Sequence, residues 1–137
     1  MHHWLLKSEP SAYSWADLVR DRRTAWTGVR NHQAANNLRA MRVGDRAFFY
    51  HSNEGLAVVG AVEVVRAAYP DPDDKTGRFV AVDIVPRAAA TAPVTLAQIK
   101  AEPKLKSLAL LRQSRLSVSP VSAAEWALIC RMAGLQG

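Results

Sequence analysis

Residues 46–66 read RAFFYHSNEGLAVVGAVEVVR. Ala47, Phe48, Phe49 and Tyr50 give Arg46 to Ser52 the composition of a strand, Asn53, Glu54 and Gly55 are hairpin-turn residues, and Ala57 to Arg66 is the returning strand. A hairpin in the middle of the chain argues against a doubly wound parallel sheet, which needs regular alternation of strand and helix.

Upstream of the hairpin, His3 to Lys7 reads as a short buried strand, stopped by Pro10. Ser14 has the spacing of an N-cap with Asp17 at N3, opening a short helix through Arg20. Asn31 to Met41 reads as a second helix, with Ala34, Leu38 and Met41 on one face. Downstream, Pro70 to Asp74 is a loop and Phe79 to Val85 a third long strand. Thr95 to Gln98 opens a short helix, Leu105 to Leu111 adds a helical turn or two, and Leu116 to Ser119 reads as a last strand ended by Pro120. Ser122 to Glu125 is a capping box, and its helix runs to Met132 before Gly134. About five uneven strands with helices between them predict an α+β fold, a mixed and partly open β-barrel with flanking helices, as one domain over 1–137.

The composition fits such a domain. Of 137 residues, 49% are hydrophobic and 22% charged, enough to build a core and too apolar for a disordered chain. Lys and Arg total 18 against 12 Asp and Glu, a net charge of +6 that favours polyanionic partners, nucleic acid first. The charge is uneven. Residues 20–46 carry seven arginines against Asp21 and Asp45, and residues 100–115 carry Lys100, Lys104, Lys106, Arg112 and Arg115 against Glu102. Residues 63–74 are acidic. Each run read alone is an ordinary solvated face.

Cys130 is the only cysteine, so no internal disulfide forms, and the N-terminus lacks the basic and apolar regions of a signal peptide. The apolar stretch Leu56 to Val65 is interrupted and too short for a bilayer, which takes about 20 residues. A cytoplasmic location without membrane contact is expected. The four histidines have no metal-ligand spacing beyond the adjacent His2 and His3, and no nucleophile elbow, Walker loop or GxGxxG occurs. No catalytic residue, metal or cofactor is therefore expected.

The conspicuous polar residues lie at element ends beside aromatics, where rigid scaffolds present binding groups. Trp26 sits in an arginine-containing loop with Gly28 and reads equally as a base-stacking face or a core tryptophan. Trp4, Trp15 and Trp126 read as core. Asn31 suits a helix N-cap, and His51, in step with Ala47 and Phe49, suits either the interior or a pocket wall. An enzyme using His51 or Glu9 as acid and base, and a small-anion site at Arg30 or Arg115, are the rival readings.

Lys7-Ser8-Glu9-Pro10 with Tyr13-Ser14-Trp15, Trp26-x-Gly28-Val29-Arg30-Asn31, Phe49-Tyr50-His51-Ser52, Ala68-Tyr69-Pro70-Asp71-Pro72, and Arg115-Leu116-Ser117-Val118 with Glu125-Trp126 occur in order. Together they resemble the EVE domain family across essentially the whole chain. The resemblance implies a PUA-like fold related to PUA, ASCH and YTH domains, and a function in reading a modified base, modified cytosine in DNA being favoured over RNA. It matches Trp26 to the tryptophan of the YTH cage loop and Ser8 to the first-strand serine of that cage. Tyr50, Tyr69 or Trp15 would complete the cage. His32 and Ala35 stand where family members often carry Tyr and Arg, which removes one phosphate contact. The expected base pocket is Ser8, Trp26, Val29, Asn31, Tyr50, His51, Ser52, Leu116 and Ser117. The expected phosphate contacts are Lys7, Arg20, Arg22, Arg23, Arg30, Arg39 and Arg115.

Overall fold

Apolar runs are unbroken in this chain where a strand is covered on both faces. The computed structural model describes residues 2–136; Met1 and Gly137, the ends of the expected domain, lie outside the described residues. Six strands form one sheet: β1 (His3–Ser8), β2 (Thr24–Trp26), β3 (Arg46–His51), β4 (Ala57–Pro70), β5 (Val80–Thr95) and β6 (Val118–Val121), in the order β2-β5-β4-β3-β1-β6. Five helices accompany it: α1 (Trp15–Asp21), α2 (His32–Ala40), α3 (Leu96–Ala101), α4 (Ala109–Arg112) and α5 (Ala123–Ala133), with a 3-10 turn at Pro103–Leu105.

β1 lies parallel to β3, with Leu6 opposite Phe49, and the other pairings are antiparallel. Alternate residues of the central strands serve two cores. Trp4, Leu6, Ala47 and Phe49 face a core closed by Leu18 of α1 and by Ala34, Ala35 and Leu38 of α2. Leu5, Phe48 and Tyr50 face the second, closed by Ile99 of α3 and by Trp126, Ile129 and Cys130 of α5. Cys130 is buried there, and burial pushes its thiol up to about 11, so it behaves as a small core residue.

The expected α+β architecture holds, with corrections. The strands are six rather than about five, and the sheet does not close into a barrel. β2 is the addition; its three residues pair with β5 and are too few to show a period. β4 and β5 run past the expected ends at Arg66 and Val85 because the long hairpin bends at register shifts. Pro86 and Pro93 sit at those shifts, where a missing N–H costs the ladder little. β6 begins at Val118 and continues through Pro120, which an edge strand tolerates. The capping boxes at Ser14, Thr95 and Ser122 form as read, and Gly134 ends α5 with φ 69°.

One contact fixes α1 on the sheet. The Trp15 ring lies so close to Gly60 that a Cβ there would sit 2.5 Å from it. Gly60→Ala is therefore expected to destabilise the chain by about 1–3 kcal/mol, the usual range for overpacking. Urea unfolding measures this, and Trp15→Leu, by clearing the space, should recover part of the loss in the Gly60→Ala background.

Candidate functional site

β1 ends between β3 and the 113–117 segment, and there the sheet curls enough to bring β2 opposite it. The space between is a cleft of about 450 Å3. Lys7, Ser8 and Glu9 form one wall with Ser117, Ala12 and Tyr13 close one end, and Thr24 to Trp26 with Thr27 to Arg30 form the opposite wall.

Trp26 is half-buried. Its indole meets Phe49 edge to face at 5.7 Å and Tyr13 at 6.5 Å. The Phe49 ring, part of the first core, thus anchors a side chain that also lines the cleft. Gly28 turns the chain just beyond, at φ 81°, a conformation that a Cβ strains. The turn is tied to the β4–β5 loop. The buried Asp71 carboxylate accepts from Gly28 N–H at 2.8 Å, from Arg30 Nη1 at 2.9 Å and from Asp73 N–H at 2.7 Å. Burial alone would raise the Asp71 pKa, but the Arg30 guanidinium and the two N–H groups outweigh it and hold the carboxyl below the usual range.

The opposite wall is equally fixed. Lys7 Nζ donates to the Ser114 carbonyl at 2.6 Å, Lys7 N–H donates to the Ser117 carbonyl at 3.0 Å, and partial burial lowers the Lys7 pKa. Ser8 Oγ donates to the Tyr13 carbonyl at 2.6 Å. Behind it, Ser52 N–H donates to the Ser8 carbonyl at 2.9 Å, and His51 Nε2 accepts from Trp15 N–H at 3.0 Å, capping the start of α1.

That imidazole must be neutral to accept, and burial lowers its pKa below 6.5. The unfolded chain therefore takes up the proton first as pH falls below about 6.5, and stability is lost until the folded-state His51 itself protonates. Urea midpoints at pH 7.5 and 5.5 should show the lower value at pH 5.5. His3, also lowered by burial, adds to the drop. His51→Gln should reduce its size.

Of the expected pocket residues, the fold brings Ser8, Trp26, Val29 and Ser117 into the cleft, with Lys7 and Arg30 from the expected phosphate set. Asn31 is the N-cap of α2, and with Leu116 and Arg115 it lines a neighbouring cleft. Tyr50 does not end its strand on the pocket side: it is 2% exposed and packs in the second core, because strand alternation sends it opposite to Phe49. His51 and Ser52 stand behind the wall. Trp15 lies beneath, 5.6 Å from Phe49, and the Tyr69 hydroxyl bonds Asp83 at 2.5 Å under the Arg66 guanidinium. Tyr13 is the aromatic that joins Trp26.

The arginines are mostly occupied. Arg20 pairs with Asp17 and Asp21, and Arg23 with Asp83 at 2.8 Å. Arg39 donates to Asn36 and to the Arg78 carbonyl, and Arg22 is exposed at the end of α1. Glu9, Ala12, Tyr13, Thr24, Ala25, Thr27 and Gly28 line the cleft outside the expected set; Glu9, Tyr13, Thr27 and Gly28 fall inside the quoted motifs, and Ala12, Thr24 and Ala25 lie beside them. Among the described residues no cluster of His, Cys, Asp or Glu could hold a metal, and no helix is long and apolar enough to cross a membrane.

The open, six-stranded α+β sheet with one parallel pair has a PUA-like fold. The ASCH protein of Zymomonas mobilis shares the fold, with a TM-score of 0.61 at 10% identity over 98% of this chain and 97% of that one. Within that class the chain belongs to the EVE domain family, whose profile matches residues 2–132. A solution structure of a Rhodopseudomonas palustris protein is 55% identical, with a TM-score of 0.94 over 100% of this chain and 96% of that one. Human thymocyte nuclear protein 1 is 33% identical over 90% of this chain, and the match spans 70% of that protein; for its chicken counterpart the match spans 34%. The crystal structure of human THYN1 protein in complex with 5-methylcytosine-containing DNA superposes with a TM-score of 0.91, 30% identity and 100% coverage of both chains.

Proposed function

We propose that this chain is a non-catalytic DNA-binding module that reads a modified cytosine, 5-methylcytosine first, taken out of the stack into the cleft between β1 and β2. The observation that carries the reading is the cleft itself: an indole held edge-on by two rings, in a chain 30% identical over its full length to a human protein crystallised with 5-methylcytosine-containing DNA. Extruding a base costs a few kcal/mol. Stacking on Trp26 offsets about 1–3 kcal/mol of that. Glu9 brings a carboxylate that can accept from the cytosine N4 amino group, Thr24, Thr27 and Ser117 bring hydroxyls, and Val29 and Trp26 offer apolar surface to the 5-methyl group.

Of the two candidate acid–base groups, Glu9 lines the cleft and His51 does not. The described lining of the cleft contains neither histidine nor cysteine, and His51 uses Nε2 on Trp15 N–H. The test is a titration of two duplexes that differ by one methyl group, at several salt concentrations. Tighter binding of the methylated duplex, by a ratio that changes little with salt, is the expected result. Equal affinity at every salt concentration would sink the reading, because charge alone binds without discriminating.

A further inference from the structure

The two basic segments differ in how much of their charge is free. In residues 20–46, Arg20, Arg23, Arg30 and Arg46 are in ion pairs of 3.3 Å or less and Arg39 is hydrogen-bonded. In residues 100–115, none of the five basic side chains is in an ion pair among the described residues. A paired arginine must exchange a carboxylate for a phosphate, whereas a free one adds its full share of counterion release.

Two of the free arginines share a concave surface. Arg112 and Arg115 line a cleft of about 380 Å3 with Asn31, Gln33 and Ser114. The first turn of α2 forms part of it. Asn31 caps that turn through Ala34 N–H, the His32 and Gln33 N–H groups lie outside the intrahelical ladder, and no acidic side chain sits in the turn. This cleft abuts the first one. Arg30 lines the first and Asn31 the second; Ser117 lines the first and Leu116 the second; and Lys7 of the first bonds the Ser114 carbonyl of the second.

We propose that this second cleft is the phosphate subsite for the nucleotide adjoining the one held by Trp26, so that the strand crosses the ridge of residues 30–31 and 116–117. The inference rests on the base-reading assignment and adds the path of the backbone. Two guanidinium forks and a helix start without acidic neighbours suit a phosphate diester.

Single methylphosphonate linkages, placed one at a time around a 5-methylcytosine in a duplex, test it. One linkage beside the methylated base should lower wild-type affinity about tenfold, the size of a charged hydrogen bond. The same linkage should have no effect on Arg112→Ala/Arg115→Ala, whose slope of log affinity against log salt should be shallower by about 1–2. Both side chains are exposed, so the thermal transition should not move. A double variant that keeps wild-type affinity and slope, or that loses as much as wild type at the linkage, overturns the proposal. Failure of the base reading shows separately, as absence of methyl preference in the unmutated chain, and the linkage effect is then read on the unmethylated duplex.

Discussion

Trp26→Ala is expected to lower affinity for a 5-methylcytosine duplex by about 10–100-fold, corresponding to the loss of one stacked base. It should also bring methylated and unmethylated duplexes to the same affinity. The salt dependence should stay where it was, because no phosphate contact is removed. Trp26 is also partly structural, since its edge packs on Phe49 and Tyr13. Trp26→Phe separates the roles: it keeps a ring in the same place and should retain most of the methyl preference. Loss of affinity in Trp26→Ala with the preference intact would assign Trp26 to the scaffold alone.

Asp71→Ala should give the largest loss of stability among single changes near the cleft. The carboxylate is buried and is the acceptor for Gly28 and Asp73 N–H. Both donors belong to exposed residues that water can reach, so the cost is the loss of two hydrogen bonds to a charged acceptor, about 2–4 kcal/mol, a fall in Tm of roughly 10 °C. The ion pair with Arg30 adds little, because that guanidinium is 40% exposed. The same change frees the 26–30 turn from the β4–β5 loop, so affinity for the methylated duplex should fall with stability. Asp71→Asn keeps an acceptor oxygen and should lie between. A melting curve like that of the wild type would show that the latch does not hold the turn.

Much of this was readable from residues. The hairpin of 46–66, the three capping boxes and the two-sided burial of Trp4-Leu5-Leu6 all follow from local composition and period. The three-residue β2 was not readable, because its only partner is a strand almost 60 residues away and nothing local marks it. The same strand carries Trp26, so of the cleft's second wall Thr24 and Ala25 leave no mark in the sequence, whereas Trp26, Val29 and Arg30 do. Pro120 reads as a strand end in the sequence, whereas an edge position accommodates it within β6. At the site, Trp26, Ser8 and Ser117 were visible as polar or aromatic groups at element ends. Tyr50 was misplaced by one step of strand alternation, which sequence cannot resolve when both faces are buried. Net charge also misled in detail. The arginine-rich run 20–46 looks like the phosphate surface, but Asp71 and Asp83 from distant positions, and Asp17 from one helical turn away, neutralise much of it.

The central claim is that one methylated base sits in the cleft against Trp26. Its most direct test is an isotope-filtered NMR measurement on the complex with a duplex carrying one 13C-labelled 5-methyl group. Nuclear Overhauser contacts from that methyl to the Trp26 indole and the Val29 methyls are the result expected. A methyl group that contacts only neighbouring bases, or protein groups outside the cleft such as Leu56 and Leu96, would contradict it.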